Sequence, residues 1–219
     1  MASTANSTYL MDKLGRWDGA NWNSLNPESN KAITAIAVSG QNIVIASSPN
    51  GIISKVTKWD GSTWLPVGSI INGVVNAVAI VNSEIYIGGS FLNADSNANA
   101  DYIAKWNGAN WTNLGTTPLS GIVHALGVSG TDLYVGGAFI NAASLAAANY
   151  IAKWNGTTWS ALQNGTTGIV NAIHVSGSNI YIGGAFSSAS SAPNTGKLAY
   201  WNGATWNSVS STAIGGPVY

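Results

Sequence analysis

The sequence predicts an all-β fold, a five-bladed β-propeller of four-stranded antiparallel blades, and three observations carry that prediction. All ten tryptophans lie in five copies of one hairpin signature, Trp-(Asp/Asn)-Gly-x-x-Trp, at Trp17 to Trp22, Trp59 to Trp64, Trp106 to Trp111, Trp154 to Trp159 and Trp201 to Trp206. The first tryptophans are spaced by 42 (17 to 59), 47 (59 to 106), 48 (106 to 154) and 47 (154 to 201) residues, a period that suits a four-stranded blade. Between the signatures run short segments rich in Ile, Val, Tyr and Trp, bounded by Gly, Asn and Ser, with no helical periodicity.

The last complete copy shows the elements in order. Gly168 to Gly177, Asn179 to Gly184, Lys197 to Trp201 and Thr205 to Val209 read as four strands, A to D. Strands A and B meet at a tight Ser-Gly turn (Ser39-Gly40, Ser129-Gly130, Ser176-Gly177), and C and D meet at Asn-Gly or Asp-Gly, residues that tolerate positive φ. A two-residue turn at Asn107-Gly108 would set Trp106 opposite Ala109 and Trp111 opposite Ala104; a four-residue turn would leave both indoles on the same face, together with Tyr102. Two large rings on one blade face suit the gap between twisted neighbouring blades, so packing is the first reading of the tryptophans.

One repeat running end to end argues for a single domain over residues 1–219, with repeats near 31–72, 73–119, 120–166 and 167–211. The fifth blade is expected from residues 1–30 plus 212–219. The tail from Thr212 to Tyr219 aligns with the start of strand A, Ser7 to Met11 with strand B, and Lys13 to Trp17 with strand C. That arrangement would close the ring and leave no sheet edge unpaired around the circle.

Only 7% of residues are charged and the net charge is zero, so neither nucleic acid nor an anionic membrane is an expected partner. No run of about 18 apolar residues offers a membrane span, and the first residues lack the pattern of a signal peptide. Asn, Ser, Thr and Gly fill the polar positions, as in many extracellular or virion-exposed β proteins. The absence of cysteine excludes disulfides, thiolate metal sites and cysteine nucleophiles.

A Gly-Gly doublet after an apolar strand with a tyrosine (Ile85 to Gly89, Leu133 to Gly137, Ile180 to Gly184), followed by spaced aromatics, resembles the kelch repeat over nearly the whole chain. The downstream pair is Trp-x4-Trp rather than the kelch tyrosine and more distant tryptophan, and the first complete copy carries Ala46-Ser47 in place of the doublet. The resemblance implies a propeller with a protein-binding role. The hairpin is also similar to that of fucose-binding propeller lectins, whose arginine and glutamate partners do not repeat here, Arg16 being the chain's single arginine. Asp60 to Trp64 is similar to the Asp-box of sialidases, which need an arginine cluster for the substrate carboxylate.

In an antiparallel meander the A-B and C-D turns share one face of the ring, and the B-C and D-A connections share the other. The copies differ mostly in the B-C loops, which makes that face the expected place of recognition. Strand A lines the central channel, and its aligned early positions are Thr34, Asn76, His124 and Asn171, polar groups that could converge near the channel mouth on the variable face. The second tryptophans Trp64, Trp111, Trp159 and Trp206 are candidate stacking surfaces for a sugar between blades. Asp95, Asn97, Asn99 and Asp101 alternate oxygen ligands as some calcium loops do, without the glycine at the bend or the terminal glutamate, so a structural calcium ion is the one cofactor to consider and a solvated loop is the alternative. Arg16, Lys58, Lys105 and Lys153, with Tyr200 in the last copy, precede the first tryptophan; their expected role is to lay the stem on apolar neighbours with the charge in water. No nucleophile, base and orienting acid can be assembled. The expected function is a non-enzymatic module that binds a protein through its variable face; the alternative is a carbohydrate-binding, lectin-like propeller whose partner is a glycan.

Overall fold

The computed structural model describes residues 14–25, 31–48 and 50–210. A hairpin of β1 (Gly15–Trp17) and β2 (Trp22–Ser24) comes first. Four antiparallel sheets follow. The first blade holds β3 (Ala32–Ser39), β4 (Asn42–Ser48), β5 (Ile53–Trp59) and β6 (Trp64–Pro66), and the short β7 (Ile71–Asn72) also pairs with β5. The second holds β8 (Val75–Val81), β9 (Glu84–Gly89), β10 (Ile103–Trp106) and β11 (Trp111–Thr112). β12 (Val123–Ser129), β13 (Asp132–Gly137), β14 (Ile151–Trp154) and β15 (Trp159–Ala161) make the third. β16 (Val170–Ser176), β17 (Asn179–Gly184), β18 (Leu198–Trp201) and β19 (Trp206–Ser208) make the fourth. Each sheet is ordered as the chain runs, so each is a meander. The chain is therefore all-β, with four four-stranded antiparallel blades and the outer hairpin of a further one. The strands expected at Ser7 to Met11 and Thr212 to Tyr219 lie outside the described residues.

The hairpin turns follow from side chains that can replace a missing backbone partner. In all five signatures the first and second tryptophan stand directly opposite each other, as in Trp106 with Trp111 and Trp154 with Trp159. The turn therefore spans four residues, and the two-residue register that would set Trp106 opposite Ala109 does not occur. The Asn107 Oδ1 explains the choice: it accepts from the amides of Ala109 and Asn110 at 2.9 and 2.8 Å, closing the loop on itself. Gly108 supplies the positive φ of 101° that the third position of the signature needs. Both indoles do share a face, their ring centroids 5.3 to 5.6 Å apart in the five pairs. Tyr102 does not join them. Its φ of 62° breaks the alternation just before β10, and its ring packs with Ile103 and Tyr86 while Trp106 and Trp111 pack with Val44 and Ile85 on the other side.

The core lies between blades, where one blade's tryptophans cover the next-door sheet. Trp106 and Trp111 pack with Val44, Ala46 and Val56 of the first blade. Trp154 and Trp159 pack with Tyr86 and Ile103 of the second, and Trp201 and Trp206 with Tyr134 and Ile151 of the third. Hydrogen bonds reinforce three seams: Trp64 Nε1 donates to the Leu25 carbonyl at 2.8 Å, Trp159 Nε1 to Leu114 at 2.9 Å and Trp206 Nε1 to Leu162 at 3.0 Å. Each acceptor stands three residues after the second tryptophan of the preceding hairpin. The fourth seam departs from the rule, for Trp111 Nε1 is buried with no acceptor among the described residues.

The Gly-Gly doublet performs two tasks. A Cβ on Gly137 would come within 2.1 Å of the Ile122 carbonyl oxygen of its own blade, and one on Gly89 within 2.0 Å of that of Val74. A Cβ on Gly136 would instead meet Cγ1 of Val170, in the following blade, at 2.6 Å, and one on Gly88 would meet Cγ1 of Val123 at 2.4 Å. The second glycine thus admits its own inner strand, and the first admits the neighbour's.

Candidate functional site

The inner strands β3, β8, β12 and β16 contact one another in succession and so line the axis. Each carries a β-bulge at its start, where the register slips between Ile33 and Ala35, Val75 and Ala77, Val123 and Ala125, and Val170 and Ala172. The skipped residues are Thr34, Asn76, His124 and Asn171. An extra residue in one strand falls outside the one-to-one register of the ladder and kinks the strand. All four candidates thus occupy one equivalent level of the inner wall. Asn76 Nδ2 donates across the seam to the Val123 carbonyl at 3.0 Å, and Thr34 Oγ1 to Ala46 in its own blade at 3.3 Å. Burial disfavours the imidazolium of His124 and lowers its pKa.

The B-C loops of the second and third blades differ in sequence but follow one backbone path. Asn93 and Asn141 have φ of 52° and 51°, Asp95 and Ala143 have 56° and 50°, and Tyr102, Tyr150 and Lys197 have 62°, 62° and 70°. Buried Phe91, Phe139 and Phe186 anchor the loops at equivalent points. The loop amides of Asn93 and Asn141 are held by Asp101 Oδ1 at 2.7 Å and Asn149 Oδ1 at 3.0 Å. Asp101 is therefore a clamp that an uncharged side chain serves equally in the next blade.

The other members of the oxygen-rich loop are similarly engaged. Asp95 accepts from Ser69 Oγ and from the Trp111 amide, Asn97 Oδ1 accepts from the Asn99 amide, and Asn97 Nδ2 donates to Asn113. Asp95, Asn97, Asn99 and Asp101 serve separate loop contacts, and among the described residues no group of three or more His, Cys, Asp or Glu is placed to hold a metal.

Of the second tryptophans, Trp64, Trp111 and Trp206 are buried, Trp111 to 1% exposure, and Trp159 is half-buried. Their faces are spent on the neighbouring blade, which leaves little indole area for a sugar. Lys105 and Lys153 also differ from expectation. Their ammonium groups meet Glu84 and Asp132 at 2.8 and 2.9 Å rather than ending in water, because each carboxylate opens the adjacent strand, β9 or β13.

Exposed apolar residues on the loop face were not picked out by sequence pattern. Ile52 and Ile70 of the first blade's connections, Leu92 in the second blade and Ile140 in the third all stand exposed on that face. Leu92 and Ile140 each follow a buried anchoring phenylalanine, which is the signal that could have found them. Beside Ile70 and Leu92 runs a groove of about 650 Å³ lined also by Ser69, Asn72, Asn93 and Asp95. Related grooves of about 240 and 490 Å³ occupy the next two seams, at Gly115 with Leu145 and at Gln163 with Ser191.

With its meander blades, inner strands around an axis and inter-blade core, the chain is a β-propeller repeat protein. Solved structures share this fold at low identity. They include YjhT (TM-score 0.51, 13% identity, covering 84% of this chain and 67% of that one) and the RRP9 WD40 repeats (0.52, 13%, 82% and 51%). The computationally designed Ika8 protein is a third (0.50, 18%, 81% and 48%). The chain thus spans about half the length of the RRP9 and Ika8 chains. Its sequence matches no protein-family model and no curated protein. Among the described residues no helix is long and apolar enough to cross a membrane.

Proposed function

We propose that this propeller is a non-enzymatic, kelch-like binding module that recognises a protein partner through its B-C and D-A loop face. The observation that carries the reading is that Ile52, Ile70, Leu92 and Ile140 stand exposed in the B-C and D-A connections, with Ile70 and Leu92 beside one groove. Apolar side chains held out by a rigid loop path suit the anchor positions of a protein interface. The polar grooves between them suit the hydrogen-bonded surround. The opposite face presents the uniform Asx turns, self-satisfied and polar.

The test is a comparison of two variants against a proteome-wide crosslinking screen. A partner crosslinked by the wild-type chain should be lost with Leu92→Asp combined with Ile140→Asp and kept with Thr131→Asp, an exposed residue of the A-B turn on the opposite face. Equal recovery by all three chains would defeat the reading.

A glycan-binding function is the second reading, favoured by the recurrence of uncharged, hydroxyl-lined grooves at successive seams. Those grooves would have to recognise sugar hydroxyls largely without stacking on Trp64, Trp111 or Trp206. A glycan array whose hits vanish with Thr116→Val and Ser191→Ala would favour this reading over the first.

A further inference from the structure

One cross-strand ladder recurs on the trailing face of each blade. In the second blade it runs Ala79, Tyr86, Lys105, Thr112, and in the third Gly127, Tyr134, Lys153, Ser160. The tryptophan pair of the following blade covers it, burying Tyr86 beneath Trp154 and Trp159 and Tyr134 beneath Trp201 and Trp206. In the fourth blade the ladder reads His174, Tyr181, Tyr200, Asn207. Here lysine is replaced by a second tyrosine, whose ring lies 5.4 Å from that of Tyr181. His174 on this face is exposed, and Tyr181 and Tyr200 are only half-buried.

At the other end of the described arc the complementary half is equally open. The β1-β2 hairpin packs its Leu14 and Leu25 against Trp59 and Trp64 of the first blade. Its own pair, Trp17 and Trp22, remains 51% and 58% exposed. No other pair in the chain is left so, and the internal seams show what such a pair covers. The carbonyl that the repeat assigns to Trp22 Nε1 is that of Val209, three residues after Trp206, and Val209 is also exposed.

We propose that the Tyr181/Tyr200 face is an interaction surface for a second copy of this chain, whose Trp17/Trp22 hairpin docks there as Trp201 and Trp206 dock on the third blade. The contact repeats an interface that the fold already forms internally, and it needs no movement of the hairpin from its seat on the first blade. Donor and acceptor surfaces differ, so the association is head to tail and continues until a ring closes or a fibre grows.

Sedimentation velocity over a concentration series tests this. The wild-type chain should form a concentration-dependent series, with acrylamide quenching of tryptophan falling as it assembles. Trp17→Ala with Trp22→Ala removes the donor, and Tyr200→Glu removes the acceptor. Each should weaken association about thirtyfold or more, the loss expected for an interface anchor. Mixed together, the two variants should form a 1:1 complex that stops there, because the donor variant retains its acceptor face and the acceptor variant retains its hairpin. Thermal melts establish that both are folded, and Tyr200→Ser replaces Tyr200→Glu if the latter is not. A wild-type chain that stays monomeric at every concentration overturns the proposal, whether its indoles are accessible or shielded within its own chain. So does an oligomer that survives the variants.

Discussion

The indole Nε1 of Trp206 donates to the main-chain carbonyl of Leu162, 3.0 Å away in the preceding blade, whereas the equivalent nitrogen of Trp111 is buried with no acceptor among the described residues. The two tryptophans fill the same role in packing but differ by one hydrogen bond. Trp206→Phe should therefore cost about 0.5–1.5 kcal/mol more than Trp111→Phe, the net worth of such a bond. Urea denaturation of the two variants measures the difference, and equal losses would show that the bond contributes nothing.

Gly136 and Gly137 are adjacent, yet alanine should affect them unequally. At Gly136 the new methyl meets a side-chain methyl of Val170 at 2.6 Å rather than backbone, and overpacking of this kind costs about 1–3 kcal/mol. The methyl at Gly137 meets a backbone oxygen at 2.1 Å, which cannot move without breaking the bulge. Gly137→Ala should lose more than about 3 kcal/mol. Pairing Gly136→Ala with Val170→Ala should recover stability, and the same partner change should not help Gly137→Ala.

Acid stability should depend on the two hairpins that carry aspartate. The Thr63 amide, followed by that of Ser62, holds the Asp60 carboxyl down to about 2, and the Asn21 and Ala20 amides do the same for Asp18. Their folded pKa values lie below the unfolded value of 3.8, so their contribution is present above that pH and fades as pH falls toward 2. Asp60→Asn copies the residue of the three later hairpins. It should leave neutral stability unchanged and flatten the loss between pH 4 and 2 in thermal melts.

His124 should act in the opposite pH range. Burial lowers its pKa below the ordinary 6.5, so the unfolded chain binds the proton more readily than the folded one. Stability should then decline as pH falls through 6.5. His124→Asn, which places at this bulge the residue found at Asn76 and Asn171, should remove that decline; a variant melting curve that tracks wild type from pH 8 to 5 would contradict the assignment.

The blade architecture could be read from the tryptophan spacing because each pair marks one outer hairpin in a period of fixed length. The turn register could not, since Asn-Gly serves two-residue and four-residue loops alike; the deciding amide bonds to Asn107 form only in three dimensions. Tyr102 was misplaced for a related reason: alternation assumes extended backbone, and a left-handed tyrosine reverses it. Among the candidates, Thr34, Asn76, His124 and Asn171 aligned correctly in sequence, but the bulge that singles them out leaves no mark in the apolar pattern. The loops looked variable because their side chains differ. The common path of the second and third blades' loops rests on left-handed positions filled by Asn, Asp, Ala and Tyr, which no glycine announces.

The bulges on the inner strands separate composition from construction. A residue outside the ladder can be exchanged without shifting the register of the blade behind it, and the four blades already tolerate threonine, asparagine and histidine there. The wall of the channel is thus a set of interchangeable fittings on a frame of fixed joints. Its chemistry can diversify one residue at a time while the surrounding architecture stays unchanged.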